Sequence, residues 1–335
     1  MTPRLAIIPG DPSGIGPELI AKLVNENGVQ QAADILLIGD SHVWQQGSKQ
    51  AGVEVNFKTI GEDDISKFSG LAHLQLETIA PNDVQVAKVT VAGGTTSLRC
   101  LDKALDLAQA GLVDGILFAP FNKAAMTSAG LNAEDEHRYI ARYIGWDGYH
   151  SEINVLDELM TTRVTSHIPL KDVASHIDQE SIIKAVKLAN ETLIRAGKKR
   201  PSIAVAALNP HAGDNGKFGS EEIDILEPAI RQCQQLQMNV TGPWPSDTVF
   251  LKAMRKEVDA VVTMYHDQGQ IAIKLMGFER GVTVAGGLPI PIATPAHGTA
   301  FDIAGQNKAN VSATRQAFNL LVRMAANNKQ NKTSA

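Results

Sequence analysis

Short apolar runs that alternate with amphipathic segments are the feature of this sequence that most restricts its fold. The runs lie at 5–8, 35–38, 115–118, 163–166, 203–208 and 260–264. Continuous runs of this length are typical of strands buried on both faces of a largely parallel sheet. Between them, Ile182, Val186, Ala189 and Leu193 repeat with a helical spacing, and Gly197 predicts the end of that helix. Strands that alternate with helices predict an α/β fold.

Composition excludes several functional classes. The chain has 335 residues with 44% hydrophobic content, which is sufficient for two well-filled domains. A net charge of -5 without a basic stripe disfavours a nucleic-acid partner. Cys100 and Cys233 have neither disulfide nor metal spacing, and no apolar run approaches the roughly 20 residues of a membrane span. We therefore expect a cytoplasmic protein that binds neither membrane nor nucleic acid.

Histidines follow three of the predicted strands. His167, His211 and His266 each stand just after an apolar run, where α/β sheets collect catalytic groups. Any one alone is explained as an ordinary polar loop residue. Three together predict a divalent-metal site, because converging imidazoles suit Zn²⁺ and other first-row metals. We expect zinc, with magnesium, manganese or cobalt as alternatives.

Carboxylates and a lysine lie near the same loops. Asp247 and Asp267 would orient a ligand histidine or take a proton, although Asp in such segments also caps helices and forms turns. Lys274 follows His266 by eight residues and would bring a cation toward an anionic substrate; the alternative is a solvated surface charge. We therefore predict Lys274, Asp247 and Asp267 as catalytic residues.

Two glycine-containing loops predict a nucleotide site. Residues 10–17 read GDPSGIGP, which lacks the GxGxxG spacing of a dinucleotide fingerprint. Gly14 and Gly16 permit close backbone approach to a ligand, and Pro17 suits the first turn of a helix. The loop that begins at His297 would hold an adenine or ribose, with Asp302 accepting from a hydroxyl. The alternative for this loop is a plain surface turn.

Six segments, in order along nearly the whole chain, resemble motifs of the 4-hydroxythreonine-4-phosphate dehydrogenase (PdxA) family. They are GDPSGIGPELI, SHIPLKDV, LNPHAGDNGKFGSEE, GPWPSDT, MYHDQGQIAIK and HGTAFDIAG. The first and last also resemble segments of the isocitrate and isopropylmalate dehydrogenase superfamily. This resemblance implies two α/β domains flanking a cleft rather than a Rossmann fold. We assign 1–128 and 268–335 to a discontinuous cofactor-binding domain, and 129–267 to a central domain for substrate, metal and dimerisation.

The resemblance also implies an activity: oxidation of a hydroxy acid with NAD or NADP, usually followed by decarboxylation. It implies a homodimer with shared active sites, His167 and His211 coming from one subunit and His266 from the other. The expected cofactor-binding residues are Gly14, Gly16, Gly287, His297, Asp302 and Asn307. The paired first and last motifs would form the cofactor site.

The substrate residues depart from the family pattern. The resemblance implies a phosphate held by His137, Lys274 and positions 283 and 292, but these last two are Thr283 and Ile292 instead of Asn and Arg. Isoleucine lacks the bidentate, charge-assisted contact that Arg gives a phosphate. Three acids, Glu134, Asp135 and Glu136, would also repel it unless they face solvent. Arg138 and Arg142, one turn apart if this stretch is helical, would meet a carboxylate; the alternative is a solvated helix face.

This departure favours a substrate without a phosphate, for example a cis-dihydrodiol of an aromatic dicarboxylate such as terephthalate. The first alternative is 4-hydroxythreonine-4-phosphate dehydrogenation in pyridoxal phosphate biosynthesis, or oxidation of threonate or erythronate 4-phosphate. The second is a non-catalytic protein that binds a metabolite. A protein that only senses a metabolite does not need the predicted hydride-transfer residues, so we expect an enzyme.

Overall fold

The computed structural model describes residues 2–333 and shows an α/β protein. Its strands are β1 (Arg4–Ile8), β2 (Asp34–Gly39), β3 (Lys58–Thr59), β4 (Leu71–Gln75), β5 (Gly115–Phe118), β6 (Ser151–Leu156), β7 (Leu159–Arg163), β8 (Ser202–Ala206), β9 (Asn239–Trp244), β10 (Ala260–Thr263), β11 (Val282–Gly286) and β12 (Ile292–Pro295). Its α-helices are α1 (Gly16–Val24), α2 (Val29–Ala32), α3 (Ser41–Ala51), α4 (Val91–Gln109), α5 (Lys123–Ser128), α6 (Glu136–Tyr143), α7 (Gln179–Arg195), α8 (Glu227–Gln235), α9 (Ser246–Met254), α10 (His266–Gly277) and α11 (Ser312–Thr333). No helix within the described range has the length and apolar character of a membrane span.

The chain forms two compact units, of which the first contains residues 2–147 and 288–333. Its strand order is β3-β4-β2-β1-β5-β12, and every neighbouring pair is parallel. Strands β1, β2 and β5 are almost entirely buried, as their continuous apolar sequences predict. Helices α1, α3 and α4 each bury an apolar side.

The second unit contains residues 148–287. Its strand order is β11-β6-β7-β10-β8-β9. Strand β6 pairs antiparallel with both β11 and β7, whereas the pairs from β7 to β9 are parallel. The predicted helix at 182–193 is confirmed as α7, which Asp178 and Ser181 begin with a reciprocal capping box.

Five of the predicted strands are confirmed, and the one at 163–166 is wrong. Strand β7 ends at Arg163, where the predicted strand began. It forms a hairpin with β6, and Asp157 in the connection has a left-handed φ of 53°. The sequence LMTTR carries little apolar signal because its threonines and arginine are polar, although the whole strand is buried.

The unit boundaries fall after Asp147 and after Gly287, further along the chain than the predicted boundaries after 128 and 267. Helix α6 belongs to the first unit, where the Tyr139 hydroxyl donates to Asp102 Oδ1 on α4 at 2.6 Å. Strand β11 belongs to the second unit because it pairs with β6. Met1, Ser334 and Ala335, which the predicted first domain includes, lie outside the described residues.

Candidate active site

Two of the three predicted metal ligands lie side by side in the second unit. Strands β7 and β10 are parallel neighbours, and their alignment continues beyond the strands: Val164 N donates to Thr263 O at 2.9 Å, and Thr165 N donates to Met264 O at 3.0 Å. The segments that follow therefore run together. The rings of His167 and His266 have centroids 5.8 Å apart, which is close enough for both to bind one ion.

Asp267 orients one of these histidines. Its Oδ1 lies 2.7 Å from His266 Nδ1, and a carboxylate can only accept at this distance. The proton therefore resides on Nδ1, and the lone pair of Nε2 is left for a metal. This contact would suit the orienting role predicted for Asp267, which stays a prediction, and it fits the donor set of a histidine-bound metal.

His211 lies in a strained loop. It has a φ of 55°, and Ala212, Asp214 and Asn215 are also left-handed, a conformation that non-glycine residues seldom adopt and that is concentrated at functional sites. The buried Glu222 supports the start of the loop, because its Oε1 accepts from Leu208 N at 2.9 Å and from Asn209 N at 2.7 Å.

The His211 ring lies 6.1 Å from that of Phe218. Within residues 2–333 of one chain, no group of three or more His, Cys, Asp or Glu side chains is placed to hold a metal. The pair that does meet, His167 with His266, differs from the pairing of His167 with His211 that the family resemblance implies. Within one chain, the residues that fit a metal are therefore two histidines, His167 and His266.

Asp247 and Lys274 are both exposed. Asp247 lies in the first turn of α9, where a negative charge is favourable and no side-chain capping bond is found. Lys274 lies on α10, the helix that His266 begins. The structure thus places Lys274 and His266 on one rigid element, whereas Asp247 has the position expected of a helix-start residue.

A buried arginine beside the histidine pair was missed by the sequence analysis. Arg163 is only 4% exposed; its Nη2 donates to Glu152 Oε2 at 2.6 Å, and its Nε donates to Ser166 Oγ at 2.9 Å. Ser166 directly precedes His167, so this network fixes the residue before a candidate ligand. In the sequence, Arg163 is only a charged residue at the edge of a predicted strand. Such a residue can be recognised as buried only when its ion-pair partner is known.

The predicted substrate residues lie in different environments. Thr283 is buried in β11 of the second unit, opposite Asn154 of β6. In the first unit, Ile292 is fully buried in β12 opposite Ile116, so its side chain is part of the core. His137 is also buried, and its Nε2 has no hydrogen-bond partner among the described residues. That unpaired atom makes His137 the better candidate for a polar ligand contact.

The acids before His137 build the start of a helix. Asp135 caps α6 by accepting from Arg138 N at 2.8 Å, and Glu134 forms an ion pair with the Arg138 side chain. Arg142 lies one turn further along α6, as predicted, and donates to the Asn132 carbonyl. Glu134, Asp135 and Arg142 therefore have local partners at the start of α6, as is usual for charges at a helix start.

Packing accounts for three of the predicted cofactor glycines. A Cβ at Gly14 would lie 2.9 Å from the Thr299 Cβ, one at Gly16 would collide with the Pro9 carbonyl oxygen, and one at Gly287 would collide with the Tyr149 carbonyl oxygen. The space that these glycines leave is thus filled by protein. A cofactor contact at these positions stays a prediction.

The first and last motifs meet in the first unit, although almost the whole chain separates them. Ile15 N donates to Thr299 O at 3.1 Å, and Ile15 and Leu19 form an apolar cluster with Ala304 and Ala309. The loop at 297–309 therefore lies against the start of α1. This is the pairing of motifs on which the predicted cofactor site depends.

This loop has features that fit a nucleotide. A Cβ at Gly298 would meet nothing within 4 Å, so its backbone borders open space. His297 Nε2 is buried without a hydrogen-bond partner among the described residues, and burial lowers the pKa of His297, which favours a neutral ring. Asp302 and Asn307 are exposed on the same loop. Neutral imidazole, carboxylate and amide groups suit the hydroxyls and amide of a dinucleotide.

Asp11, in the first motif, is a fully buried carboxylate that the sequence analysis did not single out. Its Oδ1 accepts from Ser13 N at 2.9 Å, but its Oδ2 has no hydrogen-bond partner among the described residues. Burial raises the pKa of Asp11 above its ordinary value of 3.8 because the charged form loses its hydration. The folded state therefore holds this proton more tightly than the unfolded state does.

We expect Asp11→Asn to raise the melting temperature at pH 7. Above pH 3.8 the unfolded chain loses the Asp11 proton first, so wild-type stability falls as pH rises until the folded carboxyl has also ionised. Asparagine removes this penalty, worth about 1.4 kcal/mol per pKa unit, and the difference should vanish below pH 3.8. Thermal unfolding across this pH range measures it, with the exposed Asp83→Asn as control. Equal effects of both substitutions would contradict the prediction.

Comparisons with known proteins agree on one family. The family model for the pyridoxal phosphate biosynthetic protein PdxA matches residues 31–321. A Rhizobium meliloti protein, named provisionally as a 4-hydroxythreonine-4-phosphate dehydrogenase, is 48% identical over 96% of this chain and 93% of its own. The D-threonate 4-phosphate dehydrogenase of Salmonella typhimurium is 36% identical over 97% of this chain and 99% of its own.

Solved structures give the same result. The crystal structure of 4-hydroxythreonine-4-phosphate dehydrogenase from Klebsiella pneumoniae has a TM-score of 0.85 and 34% identity, over 97% of this chain and 98% of that one. A β-decarboxylating dehydrogenase from Thermococcus kodakarensis shares the fold alone, with a TM-score of 0.52 and 12% identity over 97% of this chain and 99% of that one. The expected isocitrate and isopropylmalate dehydrogenase-like fold is thereby confirmed.

These relatives contradict the interpretation that the substrate lacks a phosphate, including the dihydrodiol example. Relatives with 36–48% identity over nearly the whole chain are named for phosphorylated substrates. The inference from Ile292 and the acids at 134–136 was wrong because those acids are engaged in starting α6. A phosphate can also be held by backbone N–H groups and a lysine, so the loss of one arginine does not exclude it.

Proposed function

The chain belongs to the PdxA family and is an oxidoreductase, and from that premise we propose that it oxidises a phosphorylated four-carbon hydroxy acid with NAD⁺ or NADP⁺. The observation that carries this proposal is the nearly full-length similarity to dehydrogenases named for 4-hydroxythreonine-4-phosphate and D-threonate 4-phosphate. Each of these substrates has a hydroxyl to oxidise and a phosphate at carbon four. Decarboxylation of the resulting keto acid is part of the proposal.

In this proposal, His167 and His266 hold a divalent metal, zinc being the first candidate. The 5.8 Å between their rings and the bond from His266 Nδ1 to Asp267 support it. A metal bound there would supply Lewis-acid chemistry, easing loss of the substrate's hydroxyl proton. Asp267 keeps the His266 proton on Nδ1, and the Arg163 network holds the segment that carries His167.

Lys274 supplies the positive charge in this scheme. It lies on α10, the helix that begins at His266, so its distance from the histidine is fixed by regular helix geometry. An ammonium group there attracts the negative charges of a carboxylate and a phosphate. Lys274 therefore serves substrate binding, and His137 with its unpaired Nε2 is a further candidate contact.

The third metal ligand would come from a second copy of the chain. Support for a homodimer comes from apolar side chains that one chain leaves exposed on α9 and α10: Met254 is 62%, Ile271 60% and Leu275 84% exposed. Such a surface is typical of an interaction site. A dimer that covers α10 would place the partner's residues near His266.

We expect the protein to reduce NAD⁺ or NADP⁺ in the presence of a divalent metal and D-threonate 4-phosphate, D-erythronate 4-phosphate or 4-phosphohydroxy-L-threonine. The unphosphorylated counterparts should be turned over at least about 10²-fold less efficiently, because a site built for an anion is left unpaired without it. Absorbance of the reduced nicotinamide gives kcat/KM for each compound, and released CO₂ tests decarboxylation. Equal rates without the phosphate would overturn the proposal.

A further inference from the structure

One carboxylate on α1 holds the loop at 297–309 in place. Glu18 is fully buried, and its Oε1 accepts from Lys22 Nζ at 2.7 Å and from Ala309 N at 2.9 Å. Lys22 Nζ also donates to Ala309 O at 2.9 Å. The two side chains thus bind both backbone polar groups of Ala309, the last residue of the loop.

The position of this ion pair is costly for a purely structural role. Ile15, Leu19, Ala304 and Ala309 form a buried apolar cluster beside it. Taking a carboxylate out of water costs more than its partners usually return, and an apolar side chain commonly replaces a buried ion pair without loss of stability. A buried ion pair instead fixes the position of the groups that it binds: Glu18 and Lys22 determine where one peptide segment lies.

The segment that they specify carries the candidate nucleotide contacts. It begins at His297 and contains Asp302 and Asn307, the latter with a left-handed φ of 57° only two residues before Ala309. Its other end is tied to the same region by the bond from Ile15 N to Thr299 O. Helix α1 and the residue before it therefore fix this loop near both of its ends.

We propose that Glu18 and Lys22 are positioning residues for the nicotinamide cofactor: they keep the loop at 297–309 in the conformation that binds it. The inference rests on the proposed function, because it takes this loop as part of the cofactor site. Neither side chain needs to touch the cofactor. A loop that is already ordered spares the cofactor the cost of ordering it.

The test uses Lys22→Met and Glu18→Gln. Glu18→Gln is the milder change, because the charge that it leaves behind is on Lys22, whose side chain is 19% exposed, whereas Lys22→Met leaves the fully buried Glu18 carboxylate without its counter-ion. If the loop is in its binding conformation in only one molecule of ten, the apparent Kd for NAD⁺ rises about tenfold. Calorimetric titration measures this, and hydrogen exchange should show loss of protection across 297–309. The affinity for D-threonate 4-phosphate with metal should not change.

Glu26→Gln is the matched control. Glu26 follows α1 and pairs with Arg315 of α11, so it also joins distant parts of the first unit through a carboxylate, but it has no bond to the loop. This variant should bind NAD⁺ as the wild type does. Unchanged NAD⁺ affinity and loop protection in Lys22→Met would overturn the inference while leaving the proposed function intact. A wild-type protein that binds neither NAD⁺ nor NADP⁺ would overturn both.

Discussion

We expect His266→Ala to abolish divalent-metal binding and to lower kcat/KM for D-threonate 4-phosphate by about 10³-fold or more. His266 is a proposed metal ligand on two observations: its ring lies 5.8 Å from that of His167, and its Nδ1 lies 2.7 Å from Asp267 Oδ1, which leaves Nε2 as the nitrogen that would bind the metal. Removing this ligand removes the Lewis acid, which contributes several kcal/mol of transition-state stabilisation. Metal content after dialysis and steady-state kinetics measure the two effects.

His176→Ala is the control for this substitution. His176 is an exposed histidine of the same unit, whose Nδ1 lies 2.7 Å from the Asp172 carbonyl, and it has no place in the candidate site. It should retain metal and activity. Full metal content in His266→Ala would refute the histidine site, and a loss in both variants would show that the measurement reports stability.

The same variant tests whether the site is shared between subunits. His266→Ala and His211→Ala should each be inactive, but a refolded or co-expressed mixture should regain activity. In a mixed dimer, one of the two sites receives every histidine intact, so random pairing restores about one quarter of wild-type activity when both sites act independently. A mixture that stays inactive would show that each site takes His266 and His211 from the same chain.

Local sequence patterns were sufficient for the elements that lie in the interior of a parallel sheet. Strands β1, β5 and β10 are continuous apolar runs because both of their faces are covered, and the end of β10 locates His266. The rule that polar groups collect at the carboxyl ends of strands therefore located the candidate site before any contact was known. That His167 and His266 are neighbours follows from the β7–β10 pairing, which sequence alone does not state.

Residues whose role depends on a distant partner could not be predicted. Arg163 is buried because Glu152 faces it across the β6–β7 hairpin, and Glu18 because it binds Lys22 and a backbone group 291 residues away. The acids at 134–136 were misinterpreted for the opposite reason: Glu134 and Asp135 have their partner only four and three residues away, at Arg138 of α6, and Glu136 lies in the first turn of that helix. Charge on its own does not distinguish a ligand contact from a helix start.

The glycines of the first motif required the structure for another reason. A glycine allows close approach, but the sequence does not reveal what approaches. At Gly14 the neighbour is Thr299, and at Gly16 it is the backbone of Pro9 together with the Ala119 side chain. The motif resembles a ligand loop because the protein's own backbone comes as near as a phosphate would.

We expect Gly16→Ala to destabilise the protein by at least about 3 kcal/mol, because no flexible side chain can move aside for the added methyl group. Its Cβ would collide with the Pro9 carbonyl oxygen and lie 3.0 Å from the Ala119 Cβ, between the residues that follow β1 and β5 in the buried core. The melting temperature should fall by at least roughly 4 °C. Thermal or denaturant unfolding measures the change, and NAD⁺ affinity measured well below the transition should be reduced, since Ile15, adjacent to Gly16, holds Thr299.

Gly298→Ala distinguishes an effect on packing from an effect on ligand binding. A Cβ at Gly298 would meet nothing within 4 Å, so this substitution should leave stability within about 0.5 kcal/mol of the wild type. If the backbone at Gly298 faces the cofactor, the added methyl group should weaken NAD⁺ binding without moving the melting temperature. Gly16→Ala would then weaken binding through the packing that holds Thr299, with a loss of stability, and Gly298→Ala would weaken it through direct contact with the ligand, with no loss of stability. A Gly16→Ala protein as stable as the wild type would contradict the packing explanation, and the close approach at Gly16 would have to serve the cofactor instead.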